Sequence, residues 1–157
     1  MSARAAWRLI SLGFAQVYRY KPGKIDWLAN GLPVEGEEAG SPRAKDYARQ
    51  DVPTCRLSDA IAQIRQRLQQ TGADVCIVVN EERVVLGLLT ADLLDGHPQR
   101  PAAEVMASAP RTYRLSASPE KALDYMRRNQ VDNVLVTTTD GQLFGVLKRE
   151  DLEANTG

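Results

Sequence analysis

The sequence predicts a mixed α+β fold: two β-α-β-β-α units packed about a pseudo-twofold axis, preceded by a small α-β-α segment. Three observations predict it. The sequence superposes on itself without a gap at an offset of 58 residues, so that Arg56-Leu57-Ser58 falls on Arg114-Leu115-Ser116, Asp74 on Asp132 and Gly87 on Gly145. In each copy, apolar residues at helical spacing give way to two short runs rich in Val, Ile and Leu, as a helix followed by a pair of strands requires. Asp140-Gly141, between the runs of the second copy, is a strong hairpin signal.

The elements follow in chain order. From Ala5 to Leu12 apolar residues recur at helical spacing, and Gly13 suits a helix stop. Val17, Tyr18 and Tyr20 favour a short strand, and Pro22-Gly23 a turn. A second short helix through Ile25, Trp27 and Leu28 is expected to end at Asn30-Gly31, with extended chain after it. This places a first segment over residues 1–36, too short to fold alone, and a polar Gly- and Pro-containing linker over 37–45.

The first repeat, residues 46–100, reads as a short strand near Arg56, a helix carrying Ile61, Ile64 and Leu68, strands over Val75–Val79 and Val84–Leu89, and a closing helix. The second, residues 101–157, repeats this with a strand near Arg114, a helix carrying Ala122, Leu123 and Met126, strands over Val134–Thr137 and Leu143–Leu147, and a closing helix. Cys76 lies inside an apolar run and reads as a small buried hydrophobe, as does Cys55.

Composition bounds the function. The 157 residues, 43% of them hydrophobic, suffice for one ordinary core. Twenty basic residues balance twenty acidic ones, so the charge footprint of a nucleic-acid or anionic-membrane binder is missing. Two cysteines and one histidine cannot supply a structural zinc site, and reduced thiols in the cytoplasm are expected. The apolar run near the N-terminus is short and broken by Gly13, so it reads as part of a fold, not as a targeting peptide, and no stretch approaches a membrane span.

The repeats resemble the cystathionine-β-synthase (CBS) domain pair, or Bateman module. "AAEVMASAPRTYRLSASPEKALDYMRRNQVDNVLVTTTDGQLFGVLKREDL" carries most of the resemblance. The first repeat is similar mainly through its ungapped match to the second. The resemblance implies a regulatory, non-catalytic module that binds AMP, ADP, ATP or S-adenosylmethionine between its units, and a homodimer.

The family closes each unit with Gly, two apolar residues, Ser or Thr, two residues and Asp. The hydroxyl and the helix's first N–H groups offer a phosphate site, and a carboxylate one turn on can hold both ribose hydroxyls. Here the copies depart from that pattern in complementary ways. Thr90 keeps the hydroxyl, but Leu93 stands where the acid belongs and Asp92 falls one position early. Asp151 is in register, but Lys148 replaces the hydroxyl and offers a cation to phosphate.

One competent site is therefore expected, in the second unit, favouring phosphorylated adenosine ligands over S-adenosylmethionine. The family's other contacts map onto Pro110, Arg111, Thr112 and Tyr113, and onto Asp132, Asn133 and Val134. Two readings stay open for the motif residues: Asp151 could serve the helix dipole alone, and Thr90 could be an N-cap. A rival function is also open, a structural dimerisation module with empty clefts.

"SARAAWRLISLGFAQVYRYKPGKIDWLANGLPVEG" resembles the last part of a rhodanese domain. In that family the active cysteine and its anion-binding loop come immediately before this stretch. Neither Cys55 nor Cys76 matches the missing position, so sulfur transfer is not expected, and the segment reads as a remnant of a sulfurtransferase fusion. Its helix-strand-helix is expected to expose an apolar face including Trp7, Phe14 and Trp27.

Overall fold

The computed structural model describes residues 8–18, 23, 27, 30, 32, 40–96, 98–108 and 110–155. Its contacts divide the chain into two units, Met1–Ser41 and Pro42–Gly157. In the first, a helical turn over 8–11 ends as expected at Gly13, whose φ of 91° only glycine adopts freely. Val17 and Tyr18 belong to no strand. The expected second helix leaves only Trp27 described, with its N–H donating to the Gly23 carbonyl at 3.0 Å. Phe14 is exposed; Trp7 and Tyr20 lie outside the described residues.

The second unit runs α1 (Ala44–Tyr47), β1 (Thr54–Cys55), α2 (Ile61–Thr71), β2 (Val75–Val79), β3 (Val85–Thr90), a 3-10 turn (Ala91–Leu94), α3 (Ala102–Val105), β4 (Ala107–Ser108), β5 (Thr112–Arg114), α4 (Pro119–Asn129), β6 (Asn133–Thr137), β7 (Leu143–Lys148) and α5 (Arg149–Asn155). It forms two sheets, β1-β2-β3-β4 and β5-β6-β7. In each, the first strand pairs parallel with the second and the second antiparallel with the third.

The repeat is kept even in its irregularities. Both hairpins slip register at matching places, Val78/Val79 and Val136/Thr137. Both long helices end on a left-handed residue, Gly72 at φ 64° and Gln130 at φ 53°. The pseudo-twofold axis passes through the isolated bridge between Val84 and Gln142. Around it, Val85 N–H donates to the Gly141 carbonyl at 3.1 Å and Leu143 N–H to the Arg83 carbonyl at 2.8 Å, each bond the image of the other.

Alternating side chains of β2 explain why all five of its residues are buried. Cys76 and Val78 face α2, packing with Ile61, Ile64, Leu68 and Leu89. Val75, Ile77 and Val79 face the other sheet, packing with Leu135, Leu143 and Val146. A strand covered on both faces shows a continuous apolar run, with no alternation. Each fully buried Ile or Leu here contributes about 1.5–3 kcal/mol. Both cysteines are free and buried, and a hydrogen bond with Cys76, then burial, pushes the Cys55 thiol up.

Two features depart from the expected elements. The first repeat closes with only a single 3-10 turn, followed by Asp95 and then Gly96 at φ 90°, whereas α5 closes the second. The short helices α1 and α3 were not anticipated; each covers the other repeat. Ala44 N–H donates to the Ala117 carbonyl at 2.8 Å and Lys45 N–H to Leu115 at 3.1 Å, while Ala102 donates to Asp59 at 2.9 Å and Ala103 to Leu57 at 3.0 Å.

The chain after each short helix then lies along the last strand of the other repeat. β4 pairs with β3, setting Ala107 against Leu88. Its image is Arg49 against Val146, where each N–H donates to the other residue's carbonyl at 2.9 Å. Glycine makes both crossings possible. A Cβ on Gly145 would meet the Arg49 carbonyl oxygen at 2.5 Å, and one on Gly87 would meet the Met106 side chain and the Ala107 carbonyl oxygen.

Candidate functional site

This exchange decides what surrounds the closing motif of the second repeat. Because Arg49 is bonded to Val146, the chain from Arg49 to Pro53 runs beside the end of β7, and the parallel pairing of β1 with β2 brings the start of β2 to the same place. The result is a small open cleft of about 120 Å³ lined by Arg49, Asp51–Pro53, Thr71–Val75, Val146 and Lys148.

Arg49, Asp74, Lys148, Glu150 and Asp151, in and beside the cleft, are paired. Lys148, 22% exposed, donates from Nζ to Asp74 Oδ2 at 2.9 Å. Arg49 makes a two-pronged contact with Asp151: Nε donates to Oδ2 and Nη2 to Oδ1, both at 2.6 Å, and Glu150 Oε1 is 3.3 Å from Nη2. Hydrogen bonding from Arg49 holds the Asp151 carboxyl below its ordinary range; partial burial opposes this, and the charges of Arg49 and Lys148 add to it. Asp151 sits in the first turn of α5, so the helix dipole favours its charge too. Arg49 lines the cavity and Asp151 does not.

A second hollow, of about 310 Å³, lies beyond the Lys148–Asp74 pair and is lined by Asp74, Asp132, Asn133, Lys148, Arg149, Glu150 and Glu153. Arg149 Nη2 is 2.6 Å from Asp132 Oδ1. Asn133 Oδ1 is buried there without a hydrogen-bond partner.

The remaining residues singled out from sequence lie elsewhere. Arg111 stacks over the rings of Tyr113 and Tyr125, at 5.5 and 4.7 Å from their centroids, and the two rings pack edge to face at 6.2 Å. Thr112 is an exposed strand residue paired with Leu135, and Val134 is buried opposite Leu147. Arg114 donates to the Thr138 carbonyl. The four basic residues 111, 114, 148 and 149 therefore form no single cluster.

Thr90 stands at the N-cap position of the 3-10 turn, but its hydroxyl caps no backbone N–H. It bonds instead to Asp92, whose carboxyl it holds below the ordinary range. Asp92 lines a different hollow, with Arg65 and Asp95.

Sequence reasoning assigned Arg111–Tyr113 and Asn133–Val134 to the cleft of Lys148 and Asp151. The cavity between Arg49 and Lys148 is lined by Pro53 and Val75, the images of Arg111 and Asn133, while Asn133 itself shares the second hollow with Lys148. Arg49, Asp51 and Asp74 were missed as lining residues. Asp74 matches Asp132 in the repeat, a signal that could have drawn attention to it. Among the described residues, no group of three or more His, Cys, Asp or Glu side chains is placed to hold a metal, and no helix is long and apolar enough to cross a membrane.

The sequence profile of the CBS domain matches residues 44–94 and 102–154. The chain belongs to the CBS domain family. The chain is 28% identical over 138 residues to the inosine-5'-monophosphate dehydrogenase of Mycobacterium leprae, covering 83% of this chain. The chain spans about a quarter (26%) of that enzyme's length.

Solved structures share the fold of this CBS pair. The cytosolic domain of the Mg2+ channel MgtE in complex with ATP superposes with a TM-score of 0.68 at 18% identity, over 72% of this chain and 48% of that one. CBSX2 in complex with AMP gives 0.67 at 16%, over 73% and 95%. The CBS domain pair of protein MJ0100, in complex with 5-methylthioadenosine and S-adenosyl-L-methionine, gives 0.66 at 16%, over 74% and 100%.

Proposed function

We propose that this CBS pair is a regulatory module that binds an adenosine nucleotide, AMP, ADP or ATP, and performs no chemistry itself. The observation that carries this reading is the cleft between repeats where Arg49 and Lys148 converge on the start of β2, with the Asp151 carboxylate directly behind Arg49. Arg49 and Lys148 suit the phosphate of a phosphorylated nucleoside and Asp151 its ribose hydroxyls, with Asp51 and Asp74 also lining the cleft. The MgtE complex with ATP and the CBSX2 complex with AMP support it through likeness of fold. Arg111, Thr112, Tyr113, Asn133, Val134 and Thr90 would serve the image cleft, where Leu93 replaces the carboxylate and affinity is expected to be weaker.

Calorimetric titration of the full chain with AMP, ADP, ATP and S-adenosylmethionine tests the reading. Asp151→Ala is expected to lower nucleotide affinity about 10- to 150-fold, the worth of charged hydrogen bonds. Lys148→Met is expected to weaken ATP far more than adenosine. An unchanged Kd for Asp151→Ala would leave the carboxylate a purely structural role.

A second reading, a dimerisation module with empty clefts, is favoured by one observation: Asp151 and Lys148 already have protein partners in Arg49 and Asp74. Both readings include a cytoplasmic homodimer, which light scattering of the purified chain would test. Residues 1–36 are read as the remnant of a rhodanese-type domain joined by the linker 37–45 to repeats over 46–100 and 101–157. Assay for sulfur transfer is expected to give none.

A further inference from the structure

The two crossing points of the pseudo-twofold differ in one respect. The offset of 58 residues carries Arg49 onto Ala107, Asp151 onto Leu93 and Lys148 onto Thr90. One crossing therefore bears an ion pair and its image bears two apolar side chains. Arg49 is fixed at its backbone by two hydrogen bonds to Val146 over Gly145, yet its side chain is 45% exposed and lines the cleft. The backbone is anchored by two hydrogen bonds, and the partly exposed guanidinium reaches Asp151 and Glu150 from the edge of the cleft.

We infer that Arg49 is the specificity-determining residue of the cleft: it holds Asp151 while the cleft is empty and passes to the ligand's phosphate when ribose hydroxyls take the carboxylate. This rests on the reading of the cleft as an adenosine-nucleotide site. The exchange conserves charge pairing only for an anionic ligand. Asp151 gains two hydroxyl donors, and the guanidinium moves from one anion to another with the same forked geometry. A nucleoside breaks the same ion pair and gives the guanidinium no forked partner in return, leaving it only the single contact to Glu150. S-adenosylmethionine adds a sulfonium to two cations. Arg49 thus rejects both without touching adenine.

The test is calorimetric titration of adenosine, AMP and ATP into the full chain, its Arg49→Met variant and its Arg49→Lys variant. Arg49→Met is expected to bind adenosine several-fold more tightly and ATP at least about tenfold more weakly, because the self-pair and the phosphate contact are lost together. Arg49→Lys keeps the cation but not the fork. It is expected to gain adenosine affinity while losing less ATP affinity than Arg49→Met. If ATP and adenosine weaken equally, or their affinity ratio does not move in either variant, Arg49 does not set specificity although the cleft still binds nucleotide. If no titrant binds any of the three proteins, the nucleotide reading itself falls, and the role of Arg49 with it.

Discussion

Arg49 and Asp151 meet across the repeat boundary through two hydrogen bonds of 2.6 Å, although one residue precedes the first strand and the other lies in the last helix. The pair closes the second sheet on the side where β4 closes the first. Because the folded-state pKa of Asp151 is depressed, the pair's contribution is present above the carboxyl's unfolded pKa and lost as pH falls through the folded one. Urea denaturation of the wild type and Asp151→Asn from about pH 7 to about pH 2 is expected to show this. The wild type should be more stable by about 0.5–1 kcal/mol at neutral pH, the scale of a partly exposed pair, with the gap closing in acid. A gap that widened on acidification would contradict the bridge.

Gly145 and Gly87 are expected to differ in how they tolerate alanine. At Gly145 the added methyl meets backbone, the Arg49 carbonyl oxygen at 2.5 Å and Ala48 Cβ at 3.2 Å. At Gly87 its nearest neighbour is the flexible thioether chain of Met106. Gly145→Ala should cost about 1–3 kcal/mol, the usual toll of overpacking, and Gly87→Ala less. Chemical denaturation of both variants checks the order.

Thr137 is 1% exposed and its hydroxyl has no hydrogen-bond partner. The repeat places Val79 at the matching position, where the site is plainly apolar. Thr137→Val should therefore stabilise the fold by about 1 kcal/mol, since burying an unpaired hydroxyl is costly. Loss of stability on this change would mean that the hydroxyl has found a partner.

Gln130 ends α4 at a φ of 53°, where its mate Gly72 ends α2 at 64°. A left-handed glutamine carries strain that glycine does not, partly offset by the greater freedom of glycine in the unfolded chain. Gln130→Gly is expected to raise stability by about 0.5–1 kcal/mol, read as a rise in Tm.

Most of the fold was legible because the chain states it twice. The apolar run Val75–Val79 announced a strand, and Ile61, Ile64 and Leu68 a helix before it. What the sequence withheld is the exchange between copies. A repeat shows that two segments are alike but not which copy's sheet each one covers. The pairing of Arg49 with Val146 rests on backbone hydrogen bonds that leave no side-chain pattern. The four-residue helices at Ala44 and Ala102 are too short to display a period. The site was accordingly half visible: Lys148 and Asp151 stood out by spacing, while Arg49, Asp51 and Asp74 entered only through topology.

The crossing at Gly145 also fixes how the chain is wired mechanically. A pull or twist arriving at Ala44 is delivered to the second repeat, first at Ala117 and Leu115 and then to β7 through the two bonds at Val146, and not to β1, its neighbour in sequence. Since β7 runs directly into Lys148 and then Asp151, tension at the entrance of the pair and occupancy of the cleft act on the same strand.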